Sequence, residues 1–454
     1  DTVLKEPRAV TSTPGEESEA VFSPDGETIL FISERDGQSD IWRARRGDPE
    51  RYWWQNETFE LDRLTTDSAL ERDLSFSPNG KTIAYAKAQG DLWIADADGK
   101  NARLLFESFH TPEYDWSPDS RWLVYAIADD NFNSDIWVMP IDGSRPAENL
   151  SRHPDDEDSP VWSPDGKMIA FKGQRMHDEV DIYYVWLKRE DFEKTRRERS
   201  IEEAIEKMKK TRKAKKDEPK KDDEETPPAE KTEAADKPTT EPAKAEAGVE
   251  KKKDDETRKV EIDFENIHER VRRVSISDAT EQRLLWSPDS KELAFQAEIK
   301  GRRGTWTIEF PDKLEPKLLS EKTGSHARWL KEGNQIVWLA DGVPARLGAD
   351  GKFEAYGFAA RQEIDRPAHY RAGFIQAWRT MRDFYYDPRL NNRDWPAILE
   401  KYVDKAAQSP DIETFAMVVS LMLGELNGSH LGFGPNRDPW RPEDDWEMET
   451  AHLG

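Results

Sequence analysis

The apolar positions of this chain fall into short β-rich runs, each introduced by the same polar turn. The pattern aromatic-Ser-Pro-Asp/Asn-Gly/Ser occurs at residues 22–26, 76–80, 116–120, 162–166 and 286–290. A degenerate sixth copy, Trp329-Leu330-Lys331-Glu332-Gly333, keeps the aromatic and the glycine. Pro presets the first turn dihedral and Asp-Gly suits the rest, so each copy predicts a tight turn. Runs such as Thr28-Ile29-Leu30-Phe31 and Thr82-Ile83-Ala84-Tyr85 then predict strands. Second strands are expected at Asp40-Ile41-Trp42, Asp91-Leu92-Trp93, Asp135-Ile136-Trp137, Asp181-Ile182-Tyr183 and the looser Gly304-Thr305-Trp306. Closing strands are expected at Arg63-Leu64-Thr65, Arg103-Leu104-Leu105, Asn149-Leu150-Ser151, Arg273-Val274-Ser275 and Lys317-Leu318-Leu319. One unit is a small antiparallel meander, which can bury its apolar faces only against copies of itself.

Successive turn prolines (Pro24, Pro78, Pro118, Pro164) are 54, 40 and 46 residues apart, the period of four-stranded propeller blades. The expected fold is therefore mainly β: a propeller of six or seven blades over residues 1–345. Arg8-Ala9-Val10-Thr11-Ser12 reads like the closing signal of a further blade, split or lying upstream. The interval from Pro164 to Pro288 is 124 residues and signals an insertion within one blade, placed at 188–258. That stretch holds 22 basic and 22 acidic residues and almost no large apolar side chain after Met208. It cannot offset its ordering entropy by burial, so a short helix followed by disorder is expected.

From about Tyr370 the apolar period changes from two to 3.6. Phe374, Trp378, Met381 and Tyr385 share one helical face, and Asp387-Pro388 ends that helix. Asp394 is placed to cap a second helix through Tyr402, and Ser409-Pro410 to start a third. Ile412, Phe415, Val418, Val419, Met422 and Leu426 form its buried stripe, with Asn427-Gly428 as a left-handed C-cap. Ser429 and His430 stand directly beyond it. Alone, such a pair reads as a helix end whose imidazole meets the last carbonyls.

The helical run 374–387 (F-I-Q-A-W-R-T-M-R-D-F-Y-Y-D), then Asp394-Trp395, then Gly424-Glu425-Leu426-Asn427-Gly428-Ser429-His430, resembles the first core subdomain of tricorn proteases and their bacterial homologues. The upstream repeats resemble that family's propellers, although the motif by itself fits TolB-type or dipeptidyl-peptidase propellers equally. The resemblance implies a helical core subdomain over 366–434 and a linker over 435–454 leading to a PDZ domain. It implies a serine-type endopeptidase that degrades oligopeptides, with the propeller as substrate or product gate. His430 would be the general base, Ser429 its orienting neighbour, and the nucleophilic Ser and a Glu would lie in a later subdomain. Only 24 residues follow His430, none of them Ser, and no G-x-S-x-G elbow occurs anywhere. The chain is thus expected to be the N-terminal part of a larger enzyme, inactive alone. The family further implies cytoplasmic localisation, with a periplasmic homologue reading the same, and a hexameric homo-oligomer. The competing reading is a non-catalytic TolB-like propeller that binds a protein or peptide partner.

Composition narrows the remaining options. Of 454 residues, 68 are basic and 93 acidic, giving a net charge of -25, and the balanced insertion leaves all of it on the folded part. Such acidity repels phosphate backbones and anionic lipid, so neither nucleic acid nor membrane is an expected partner. The absence of Cys excludes thiol nucleophiles, disulfides and thiolate metal sites. No cofactor and no metal is expected. Gly80-Lys81-Thr82 lacks the first Walker glycine, with Ser75 in its place, and reads as a blade turn. In 268–272 (H-E-R-V-R) Arg stands where a zincin helix needs its second His. Asp155-Asp156-Glu157-Asp158 reads as a solvated turn.

Overall fold

The structure is a computed structural model. It describes residues 8–435 apart from 130, 177, 178, 203, 206, 207, 209–258 and 359–362. The expected disordered part of the insertion and the expected linker beyond residue 435 lie outside the described residues.

Six four-stranded antiparallel sheets follow one another along the chain, each built from four consecutive strands. Blade one consists of β1 (Glu17–Phe22), β2 (Thr28–Ser33), β3 (Asp40–Arg46) and β4 (Phe59–Arg63). Blade two has β5 (Glu71–Phe76), β6 (Thr82–Lys87), β7 (Asp91–Asp96) and β8 (Arg103–Phe106). Blade three has β9 (Glu113–Trp116), β10 (Trp122–Ala128), β11 (Ser134–Pro140) and β12 (Glu148–Asn149). Blade four has β13 (Glu157–Trp162), β14 (Met168–Met176), β15 (Glu179–Trp186) and, beyond the insertion, β16 (Val271–Val274). Blade five has β17 (Gln282–Trp286), β18 (Glu292–Ile299), β19 (Arg302–Glu309) and β20 (Lys313–Ser320). Blade six has β21 (Ser325–Leu330), β22 (Gln335–Ala340), β23 (Val343–Gly348) and β24 (Phe353–Ala355), ending ten residues past the boundary expected at 345. The propeller is six-bladed. Residues 8–16 form no strand; Val10 instead packs on the outer apolar face of blade one.

The repeated turn has a physical reason. In each clean copy the Ser hydroxyl meets the Asp or Asn two residues on and accepts from the amide five residues on. Examples are Thr28 N to Ser23 Oγ at 3.0 Å, Thr82 N to Ser77 Oγ at 3.0 Å and Met168 N to Ser163 Oγ at 2.9 Å. The fifth position is left-handed, at φ +75° for Gly26 and +71° for Gly166, which a side chain tolerates poorly. Where Ser stands there instead, it joins blades: Ser120 Oγ accepts from Asn79 N at 3.0 Å and Ser290 Oγ from Asp165 N at 2.8 Å.

First strands of neighbouring blades approach one another (β1 and β5, β9 and β13, β13 and β17, β17 and β21), so they face the axis. Every first strand except β9 carries a bulge, with a left-handed residue at Glu19, Asp73, Ser159, Arg283 or His326. Carboxylates of the preceding blade cap two of these bulges: Glu19 Oε2 accepts from Leu74 N at 3.0 Å, and Glu113 Oε2 from Ser159 N at 2.8 Å.

The insertion leaves blade four through the short helix α1 (Arg189–Glu193). Its ends clasp each other, because Asp263 N donates to Leu187 O and Arg270 donates to the carbonyls of Trp186 and Leu187. The acidic run 155–158 is not a solvated turn throughout. Glu157 opens β13 and is fully buried, with Arg175 Nε of the adjacent strand donating to it at 2.7 Å and Ser151 and Asp135 of the preceding blade beside it.

Three helices follow the propeller: α2 (Arg366–Phe384), α3 (Trp395–Ala407) and α4 (Ile412–Gly424). Asp365 caps α2, which begins four residues before the expected start, and Tyr385 is its C-cap rather than part of its face. Asp394 caps α3 as expected by accepting from Ala397 N, but the helix continues past Tyr402 to Ala407. The third N-cap is a correction. Asp411, not Ser409, accepts from Thr414 N at 2.7 Å, while Ser409 Oγ donates back to Lys405 O on α3. The C-terminal expectation also shifts: α4 ends at Gly424 with a right-handed Glu425, and of Asn427 and Gly428 only Asn427 is left-handed.

Trp378 and Trp395 stack at 6.3 Å, and each indole N–H donates to the other's backbone carbonyl. Around them Phe374, Phe415, Val419 and Met422 are buried. Burying a side chain of that size contributes roughly 2–3 kcal/mol. The subdomain leans on blade one. Arg379, 2% exposed, pairs with Glu34, Gln376 with Glu16, and Arg382 Nη2 donates to Gln38 Oε1 at 3.3 Å. Burial pushes the Glu34 carboxyl up, and Arg379 opposes that shift.

Candidate active site

Ser429 and His430 form an exposed turn five residues beyond α4. Two contacts hold its stem. The Asn391 side-chain amide donates to Leu426 O at 2.8 Å and to the Tyr385 hydroxyl at 2.9 Å, tying the end of α2 to the end of α4. Asn391 reaches both because Leu390, Asn391 and Asn392 are all left-handed, at φ +51°, +54° and +57°. A buried Leu in that region is strained, and such strain persists only where surrounding contacts enforce it. Gly428 then passes so close to Tyr385 that a Cβ there would lie 2.7 Å from the phenol oxygen. A side chain at 428 would displace the turn.

Further support comes from Glu425, whose carboxylate accepts from the Tyr402 hydroxyl at 2.8 Å and pairs with Lys401. Those bonds, Lys401 first, hold its carboxyl below the usual range. Asp387 is likewise held low by the backbone N–H of Arg389 and of Asn391. Leu431 anchors the far side of the turn in the helical core, and Phe433 meets Phe415 edge-on at 6.0 Å. His430 itself is left-handed at φ +59°. Among the described residues, no hydrogen bond or ion pair involves the Ser429 or His430 side chain. The two stand side by side, presented rather than engaged.

A short run of contacts links the turn to the propeller. Arg72, on first strand β5, places its guanidinium 5.3 Å over the Phe384 ring at the last residue of α2. Tyr385, the next residue, contacts Gly428. Sequence reasoning singled out Ser429 and His430 but missed Asn391, Tyr385 and Arg72, whose roles arise from contacts across 35 residues or more. The paired asparagines at 391 and 392, a residue type tolerant of left-handed backbone, were the available local signal. Among the described residues no group of three or more His, Asp or Glu is arranged to hold a metal ion, and no helix is long and apolar enough to cross a membrane.

Comparison with known proteins matches the propeller and the helices. Residues 3–131 match the TolB beta propeller domain, and residues 366–424, which span α2 to α4, match the tricorn protease C1 domain. The chain is 21% identical over 390 residues to a protein of Sulfurisphaera tokodaii named as a tricorn-like protease C-terminal subunit, covering 82% of this chain and 40% of that one. It is 30% identical over 116 residues to a tricorn protease homolog of Saccharolobus solfataricus, covering 25% of this chain and 11% of that one. The crystal structure of the tricorn protease superposes with a TM-score of 0.60 at 11% identity, over 89% of this chain and 37% of that one. The chain thus spans about two fifths or less of the length of these relatives. In its six-bladed propeller and in the three helices that follow, the chain is similar to the tricorn proteases.

Proposed function

We propose that the chain is the propeller and first core subdomain of a tricorn-type serine endopeptidase acting on oligopeptides. The observation that carries this reading is the exposed Ser429–His430 turn, whose stem Asn391 clamps at the end of the helical subdomain. In the proposed reaction the His430 imidazole takes the proton of a serine hydroxyl supplied by a later subdomain, and the alkoxide attacks the peptide carbonyl. The imidazolium then returns that proton to the leaving amine, and water repeats the cycle to release the acyl group. Ser429 orients the imidazole, passing a hydrogen bond to a later glutamate. The propeller bore admits extended peptide and excludes folded protein. A hexameric assembly in the cytoplasm and inactivity of this part alone belong to the same proposal.

The test is hydrolysis of a fluorogenic peptide panel by this chain and by the protein extended to its natural stop codon, each with and without His430→Ala. Activity is expected only in the extended protein, with kcat/KM falling by about 10^4 or more on substitution. Cleavage that survives His430→Ala would remove His430 as the base, and an inert extended protein would leave the TolB-like binding reading standing. Asn391→Ala is expected to lower kcat by about tenfold or more at nearly constant KM, because it misplaces the base without touching the substrate.

A further inference from the structure

On the propeller face that carries the helices, a groove runs between blades two and three. Two cavities of about 320 and 420 Å3 meet at Glu107, Ser108 and Phe109. Phe109, in the loop at 107–112, and Phe132, just before β11, are 73% and 74% exposed. Both flank the His110 ring, at 5.2 and 5.8 Å between centroids. Phe132 holds this place from a left-handed backbone at φ +63°, an unfavourable conformation for a bulky residue. Two large apolar rings left in water beside a cavity are the informative departure from ordinary surface composition.

Charge narrows the occupant. Asp91, Glu107 and Asp129 border the groove, and among the described residues no Lys or Arg lines it. Asp91 and Asp129 each spend one oxygen on loop amides, Ser108 N for the first and Asn131 N and Asn133 N for the second. Those amide bonds hold the Asp129 carboxyl below its usual range and therefore ionised. Aromatic faces beside carboxylates attract an organic cation with a long apolar stem. Position narrows it further. The groove's loop reaches Thr111, whose hydroxyl accepts from Arg72 Nε at 3.0 Å, and Arg72 in turn covers Phe384, next to the clamp on Gly428.

We propose that this groove is a subsite for a lysine or arginine side chain of an extended peptide, held on the exposed rings of Phe109 and Phe132 beside the carboxylates. The peptide identity of the ligand rests on the proposed function above; the cation preference rests on the groove alone. The test is direct binding, by fluorescence anisotropy up to millimolar protein, of labelled hexapeptides that differ at one position: Lys, Arg, norleucine or Glu. Lys and Arg peptides are expected to bind about five- to tenfold more tightly than the norleucine peptide, and the Glu peptide most weakly. Phe109→Leu/Phe132→Leu, which keeps apolar bulk and removes the ring faces, should abolish the contrast, and Glu107→Gln should reduce it. Circular dichroism and melting of each variant guard against misfolding. Equal binding of Lys and norleucine peptides, no binding of any, or an unchanged contrast in the double variant would overturn the proposal. Hydrolysis is not read here, so selective binding without peptidase activity would sink the peptidase reading alone. His430-dependent hydrolysis without selectivity would sink the groove alone.

Discussion

Glu71 and Glu281 occupy the same place in their blades, five residues ahead of the turn-motif aromatic, and are 1% and 0% exposed. Two counterparts of theirs have cationic partners: Glu17 accepts from Arg35 Nη2 and Glu157 from Arg175 Nε, both at 2.7 Å. No hydrogen bond reaches the Glu71 or Glu281 carboxyl among the described residues. Thr65 stands beside Glu71 outside hydrogen-bond geometry. Asp67 and Asp40 face Glu71 with only Lys87 opposing them, and Asp181 and Glu179 face Glu281 with Arg273 opposing. Burial first, then these carboxylates, push both groups up to about 8, while Glu157 reaches about 7. A folded-state value above the unfolded one means that the native state holds the proton. The stabilisation is fully present below about pH 4.5 and lost as pH rises toward 8. Glu71→Gln/Glu281→Gln should therefore flatten the fall in denaturation midpoint between pH 5 and 8, by on the order of 2 kcal/mol per site. A variant that keeps the wild-type slope would show that these carboxyls ionise freely.

Among the elements, α4 shows how local chemistry decides a boundary. Ser409 and Asp411 are both good N-caps, and propensity does not separate them. In the fold Asp411 holds Thr414 N, while Ser409 is turned back onto α3. Asp411→Ala should cost about 1 kcal/mol and speed amide exchange of the first turn of α4 about fivefold, with Ser409→Ala leaving that turn nearly unchanged. The reverse ranking, read by hydrogen exchange, would refute the assignment. The same contrast explains what was legible in the sequence. The blade turns were, because all their bonds close within five residues, from Ser23 to Thr28 or Ser163 to Met168. The place of Ser429–His430 just past a helix end was, because it follows a strong apolar stripe, whereas a role for the pair came from the family resemblance alone. Glu157 was misread as solvated because its cover comes from neighbouring strands, and the role of Asn391 was missed because its partner, Leu426, is 35 residues away and the asparagine pair signals only a left-handed turn.

For the whole molecule, the open question of such a ring is its closure. Every blade is completed by its own consecutive strands, so no strand is shared between blade six and blade one. Apolar clusters span the seams between blades one and two, two and three, three and four, four and five, and five and six. Among the described residues none joins blade six to blade one. The chain nevertheless leaves blade six and enters α2, and α2 docks on blade one through Arg379–Glu34, Gln376–Glu16 and the His369–Pro14 contact. The helical subdomain is thus tethered to blade six by the chain and docked on blade one, and the buried Arg379 is the most costly part of that docking to break. Removing one member of a buried pair leaves an uncompensated charge, at about 3 kcal/mol. Arg379→Met should therefore raise hydrogen exchange in β1, β2 and β21 to β24 while sparing β10 to β15, and Arg379→Met/Glu34→Met should recover much of the loss. The local pattern carries the argument: uniform destabilisation of all six blades, or no change at the seam, would mean that the ring closes without help from the helices.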